Sequence, residues 1–504
     1  MSAIGSRFDL DALRAALAAA PHDCPSHDHM SEHHRHDDGR PDVCPMQPIG
    51  LRRVLDGPGA LTGLGDVLAD LGARSGPVTV LAAATPMTVR GTGLREAIEE
   101  LLAGRYTAKW VAVGPASGLV HADEQTVARA RAAAAGARCV ITVGSGTITD
   151  VGKAAAGSSA ALIVVQTATS VNGYADPFSV LLRDGVKRTT PSRWPDVLII
   201  DPDVLSGAPS ELNAAGLGDM AAMFTATADW YLAAAVQADG PPYLPGVAAL
   251  VRDRGERMLG TAAGLTDDPG RLADLGTLLT LSGISMGVAG STAPASGMEH
   301  AVSHLLEMAA TATGGPGNLH GAGVGVAAVT AAATWAHVRR RIAEGALERP
   351  ARLPDPDLVA DRIGGAFGRL DPTGVMAAQC LADYSAKLRL LASRADPLAG
   401  LRDAWADRDA TLGTLLIEPT ELAWRLRSAG LPVRFGDLRS PVDAETARWA
   451  VANCALQRRR FGIADLAMLL GAWEDDDIDS VLAATAEAAD AAEASEAAGA
   501  ARTL

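Results

Sequence analysis

Cys139-Val-Ile-Thr-Val-Gly144-Ser-Gly146-Thr-Ile-Thr-Asp150-Val-Gly-Lys153 reads as a buried strand, a Gly-Ser-Gly turn and the opening of a helix. Val140–Val143 is apolar and β-branched enough for a strand covered on both faces. Two glycines in the turn permit positive φ and let the backbone approach a ligand closely. The helix behind them offers N–H groups to an anion such as a pyrophosphate, beside the hydroxyls of Ser145, Thr147 and Thr149. The third glycine of the common dinucleotide pattern is missing, so a purely structural tight turn explains this stretch equally well.

The same rhythm extends to either side. Val78–Ala83, Trp110–Val113, Leu162–Val165 and Val197–Ile200 read as further strands, and Gly93–Ala103, Glu124–Ala135 and Thr149–Ala156 as helices among the first four strands. Strand–helix alternation with short connections predicts a parallel sheet covered on both faces. Beyond about residue 206, long Ala/Leu-rich helical segments replace the strands. The expected organisation is a His-rich disordered leader over 1–46, a Rossmann-like α/β nucleotide-binding domain over 47–205, an all-α metal and substrate domain over 206–476, and an Ala/Glu-rich tail over 477–504, a frayed helix or disordered.

Composition limits what this chain can do. Its 504 residues, 48% hydrophobic and 20% charged, are enough for more than one packed domain, and aromatics at 4% predict cores built from small side chains. A net charge of −15 argues against nucleic acid. Cys24, Cys44, Cys139, Cys380 and Cys454 are scattered and odd in number, which fits a reducing cytoplasm better than a disulfide framework. The apolar stretch Ala12–Ala20 is broken by Arg14 and follows Asp9 and Asp11, unlike a secretory signal. No membrane span is expected, Gly321–Ala336 being short and rich in Ala, Gly and Thr. In the leader His22, His27, His29, His33, His34 and His36 cluster without the fixed geometry that a specific metal site needs.

Outside the leader, histidines are sparse, and three fall close together. Ser296-Gly-Met-Glu-His300-Ala-Val-Ser-His304 puts two imidazoles one helical turn apart on one face. His320 follows in Gly317-Asn-Leu-His-Gly, and upstream Ala215-Gly-Leu-Gly-Asp219 presents a carboxylate. One Asp with two neutral imidazoles suits zinc, nickel or iron(II) and leaves coordination positions open for substrate oxygens. Spacing alone also allows His300 and His304 to be ordinary packed helix residues.

Gly144-Ser-Gly-Thr-Ile-Thr-Asp-x-x-Lys153 resembles the diphosphate-binding turn of the family that holds iron-containing alcohol dehydrogenases, glycerol dehydrogenases, glycerol-1-phosphate dehydrogenases and dehydroquinate synthases. The resemblance implies NAD or NADP bound by Gly144, Ser145, Gly146 and Thr147. Asp150 and Lys153 would lie toward the nicotinamide and Thr85 toward the adenosine half, with Thr167 and Thr169 as further contacts. It also implies one divalent metal, zinc favoured, on Asp219, His300 and His320, with His304 as a proton carrier. Iron-dependent alcohol dehydrogenases carry a fourth ligand, a His, four residues after the Asp; here that position is Met223.

Gln166-Thr-Ala-Thr-Ser-Val-Asn172-Gly, Leu182-Arg-Asp-Gly-Val-Lys187-Arg188-Thr and Gln457-Arg-Arg-Arg-Phe-Gly are similar to segments of glycerol-1-phosphate dehydrogenases in particular. That resemblance implies reversible reduction of dihydroxyacetone phosphate to sn-glycerol 1-phosphate, with Lys187 and Arg188 toward the phosphate. Asn172 stands where that family usually has Asp; an amide can hydrogen-bond a hydroxyl but cannot act as a carboxylate base. A dehydrogenase of glycerol or another polyol, and a dehydroquinate synthase-like lyase, are the competing readings. The expected partner is thus a small polyol or polyol phosphate substrate, and the protein is expected to be a homo-oligomer.

Overall fold

The computed structural model describes residues 8–19, 46–73, 75–115, 120–183 and 185–503, with side chains through 497. The chain divides into two compact units, one holding residues 48–220 and 254–288 with the N-terminal helix, the other 221–253 and 289–503. The expected division at 205/206 is therefore displaced. The first unit keeps α3 (Ser210–Met220) and takes back α4 (Pro269–Ala289), because a parallel sheet needs helices on both faces.

The sheet of the first unit contains β1 (Arg53–Asp56), β2 (Gly76–Ala83), β3 (Tyr106–Val113), β4 (Cys139–Gly144), β5 (Ala161–Gln166) and β8 (Val197–Ile200) in the order β1-β8-β5-β4-β2-β3. Every pairing is parallel. One face packs Val78, Val80, Ile141, Val143, Ile163, Val165, Val197 and Ile199 against Leu64, Val67, Leu68, Leu94 and Ile98. The other meets α2 (Gly146–Ala155), so closely that a Cβ on Gly152 would lie 2.0 Å from Thr142 Cγ2. An antiparallel hairpin, β6 (Phe178–Arg183) with β7 (Val186–Pro191), packs on α2. The five predicted strands and three predicted helices all form; β1 and the hairpin are additions.

The leader departs from expectation, and the tail takes the helical one of its two expected forms, docked instead of frayed over 478–492. Residues 10–19 form α1 (Leu10–Ala19), with Phe8, Leu10 and Leu17 buried and the Phe8 amide donating to Asp56 Oδ1 at 3.2 Å. The histidine cluster of the leader lies outside the described residues. The C-terminal segment is one long helix, α7 (Asp475–Thr503), whose Ile478, Val481, Thr485, Ala488, Ala489 and Ala492 are buried. Its apolar stripe repeats every three to four residues and so docks as a helix.

The second unit is helical. Its spine is α6 (His320–Ala343), which packs against α5 (Met298–Ala312), against α7 and against the turn Ala221–Phe224. Both α4 and α6 are long and apolar enough to cross a membrane, contrary to expectation, but 89% of each apolar window is buried within the protein, as in a core helix.

Gly144 and Gly146 do not use positive φ, contrary to the reading of the turn. Their need is space: a Cβ on Gly144 would meet Ile148 Cγ1 at 2.5 Å, and one on Gly146 would meet Val171 Cγ2 at 2.3 Å. The most confined glycine is Gly216, where a Cβ would sit 1.9 Å from the Thr169 carbonyl oxygen. That oxygen cannot swing aside as a side chain would, because Thr169 is anchored to Asn213 through its amide at 2.9 Å and its hydroxyl at 3.0 Å. Gly216→Ala is therefore expected to cost about 1–3 kcal/mol, the usual range for overpacking, read as a lower denaturation midpoint at unchanged m-value.

Candidate functional site

In a parallel sheet all strands end on one edge, where α/β proteins bind ligands. At that edge β2 runs on to exposed Thr85, β4 to Ser145 and β5 to Thr167, and β5, β4 and β2 are adjacent. Ser145 stands at the N-cap of α2 with no side-chain hydrogen bond to its amides, so the helix start is open to an anion. The Thr167 amide donates to the Gly144 carbonyl at 3.3 Å and holds the two loops together.

Thr169 and Lys153 are placed differently from expectation. Thr169 is fully buried and spends its amide and hydroxyl on Asn213, which removes it from any ligand. Lys153 is also buried, with its ammonium 3.2 Å from Asp150, 3.2 Å from Asp176 and 2.8 Å from the Gly173 carbonyl oxygen. All three of its donors are spent, so it locks the 173–176 loop to α2 instead of reaching a cofactor. Burial pushes Asp176 up to about 6 in spite of Lys153, and raises Asp150 as well. For Lys153, burial alone would lower the pKa; Asp176 and Asp150 reverse this and raise it.

The histidines converge. The His300 and His320 rings lie 5.2 Å apart, His304 and His320 5.5 Å, and His300 and His304 6.0 Å. His300 Nδ1 is 2.9 Å from Glu299 Oε1, and His320 Nδ1 is 2.7 Å from Glu307 Oε1. Glu299 also accepts from the Thr225 hydroxyl at 2.7 Å and from the Gly297 amide. Burial alone would raise its pKa, but the bonds from His300, Thr225 and Gly297 hold it below the usual carboxylate value. Two imidazoles placed so closely fit a single divalent cation. Asp219 sits in α3 and accepts from the Asn172 amide at 2.8 Å. Met223, four residues on, is buried in the turn.

Residues 56–209 match the iron-containing alcohol dehydrogenase family. A glycerol-1-phosphate dehydrogenase [NAD(P)+] from Bacillus licheniformis is 34% identical over 290 residues, 54% of this chain and 71% of the relative. The chain belongs to the iron-containing alcohol dehydrogenase family. A relative of the same description from Methanothrix thermoacetophila is 30% identical over 58% of this chain and 80% of its own. Matches to the first four curated relatives span 50% to 71% of their lengths. A probable glycerol dehydrogenase from Sinorhizobium meliloti 1021 shares the fold, with a TM-score of 0.54 at 15% identity over 88% of this chain and 98% of its own.

As a member of the iron-containing alcohol dehydrogenase family, the chain is an oxidoreductase. The sequence names Asp219, His300 and His320 but neither Glu299 and Glu307, which bond the two rings, nor Asn213 and Asp176, which hold Thr169 and Lys153. None of the four is marked by a motif of its own. Only Glu299, next to His300, had a local signal. Lys153 gives the sharpest test of the buried network. Lys153→Met leaves two buried carboxylates without their cation and is expected to cost about 3–5 kcal/mol, measured by chemical denaturation. A loss below about 1 kcal/mol would mean that Asp150 and Asp176 are not held by it.

Proposed function

We propose that this enzyme interconverts dihydroxyacetone phosphate and sn-glycerol 1-phosphate with NAD or NADP, using one divalent metal ion on Asp219, His300 and His320. The observation that carries the reading is the convergence of the His300 and His320 rings, 5.2 Å apart, each with Nδ1 already bonded to a carboxylate. Zinc is the ion we favour over nickel and iron(II), since mixed N/O donors with an open position are its usual catalytic setting. When bound, such an ion supplies Lewis-acid stabilisation of the charge that develops on a ketone oxygen, worth several kcal/mol.

The chain's own groups divide the remaining work. Gly144 to Thr147 and the amides opening α2 offer the pyrophosphate its donors, with Thr85 and Thr167 flanking on the same sheet edge. Asn172 fixes the Asp219 carboxylate through its amide, and its own side chain donates to Ser282 Oγ at 3.2 Å. It therefore orients groups and moves no proton. His304, half-buried beside His300 and His320, is the nearest ring able to carry a proton to or from the substrate oxygen. The described cysteines Cys139, Cys380 and Cys454 are buried thiols, which fits a reducing cytoplasm.

Lys187 and Arg188, half-buried on β7, are the proposed phosphate contacts. One observation favours a second reading, a dehydrogenase of glycerol or another unphosphorylated polyol. Lys187 lies near enough to Asp150 to lower that carboxylate's pKa, so part of its charge already serves the buried network.

His320→Ala is expected to lose the metal and to lower turnover of dihydroxyacetone phosphate by about 10³-fold, several kcal/mol of barrier at 1.36 kcal/mol per decade. Unchanged turnover in metal-depleted buffer would reject the scheme. Assayed beside it, Lys187→Ala is expected to raise KM for the phosphorylated ketone about tenfold, a loss of about 1.4 kcal/mol, with no change for dihydroxyacetone. Equal kinetics on both ketones would favour the unphosphorylated polyol. Net consumption of NADH or NADPH separates both from a lyase that recycles its nicotinamide.

A further inference from the structure

Both imidazoles of the proposed metal site arrive with one ring nitrogen already taken by a carboxylate. In α5, Glu299 stands beside His300, with Oε1 2.9 Å from Nδ1. Glu307, two turns further along the same helix, reaches across to α6 and places Oε1 2.7 Å from His320 Nδ1. An imidazole whose Nδ1–H donates to a carboxylate has its proton fixed on that nitrogen. Its Nε2 is left as the lone-pair donor, with the ring held at a set angle.

The two carboxylates are not equivalent. Glu299 is completely buried and accepts from Thr225 and Gly297 as well, so it also shapes the entry to α5. Glu307 and His320 both keep about a quarter of their side-chain surface exposed. An ion pair still partly open to solvent adds only modestly to stability. Its short bond therefore makes more sense as a device acting on the ring than as a structural brace.

Resting on the metal reading above, we propose that Glu299 and Glu307 are positioning residues. Each anchors the Nδ1–H of a metal-binding histidine, so that Nε2 of His300 and of His320 face the cation in the correct tautomer. Neither touches substrate. They act through the rings, by raising the basicity of Nε2 and by removing the rotational freedom that ligation would otherwise have to freeze. Glu307 is the informative position because it is partly exposed and its replacement leaves the buried core intact.

The test uses the full chain, stripped of metal, with Zn²⁺ titrated against a chromogenic chelator and Co²⁺ used as a spectroscopic substitute. Glu307→Leu is expected to weaken Zn²⁺ binding by about 10- to 100-fold, the usual consequence of removing such a partner, and to alter the Co²⁺ ligand-field bands. Glu307→Gln keeps an acceptor oxygen and is expected to recover most of that affinity. Neither variant is expected to change the thermal midpoint of the metal-free protein. Wild-type Zn²⁺ affinity in Glu307→Leu overturns the proposal. So does an equal loss in both variants accompanied by a lower metal-free midpoint, which would mark a structural role. His320→Ala run alongside separates the two levels: if it too binds Zn²⁺ as the wild type does, the metal reading itself fails.

Discussion

A carboxylate taken out of water must find donors, and in the second unit this requirement fixes the path of the chain around His300. Asp229 accepts from the Met298 amide at 2.8 Å and from the Ile463 amide at 3.0 Å, and so caps two helices at once. Glu299 accepts from Gly297, Thr225 and His300. Arg458 and Arg460 donate to the carbonyls of Gly297 and Ser296 just before α5 begins. The two acids tolerate each other only at a cost: burial, then repulsion from Glu299, pushes Asp229 up to about 7. His300 is thus aimed by a shell of buried charge that would come apart if any one member were removed.

The first unit solves the same problem with fewer charges and with backbone contact. Lys153 neutralises Asp150 and Asp176, while Asn213 supplies the polar groups that the 166–172 loop needs. Glycine then lets the layers close. Gly152 admits Thr142, Gly216 admits the Thr169 carbonyl, and Gly283 admits the Asn172 carbonyl, which a Cβ would approach to 2.7 Å. In a chain with 4% aromatics, packing density comes from this approach of backbone to backbone rather than from large side chains.

How much of this was legible in the sequence depended on how local each signal was. Val140–Val143 and Leu162–Val165 announce themselves because a central parallel strand is apolar on both faces. β1 is four residues at the sheet edge, beginning with an exposed Arg53 and ending in Asp56, and no period emerges from so short a run. The tail is legible as a helix but not as a docked one, since its buried stripe from Ile478 to Ala492 is written largely in alanine. Asp219, His300 and His320 stand out through the family resemblance, the i, i+4 pair of His300 and His304 being the local signal, while the glycines before Asp219 lie inside α3 and form no turn. Glu307 had no such mark: its partner is 13 residues away across a helix–helix contact, a relation that only the packing of α5 on α6 creates.

The departure at Asn172 is also explained by what surrounds it. The amide of residue 172 already holds Asp219 Oδ2, and the Asn172 carbonyl lies so close to Gly283 that the loop has no room to move toward α4. A carboxylate at 172 would therefore share its surroundings with the Asp219 carboxylate, and like charges so close raise each other's pKa and weaken both as anions. The carboxamide avoids that repulsion and gains a donor that the Ser282 hydroxyl accepts. What is given up is a base at that position. His304, half-buried beside the His300 and His320 rings, is the titratable group that the proposed scheme leaves for proton transfer.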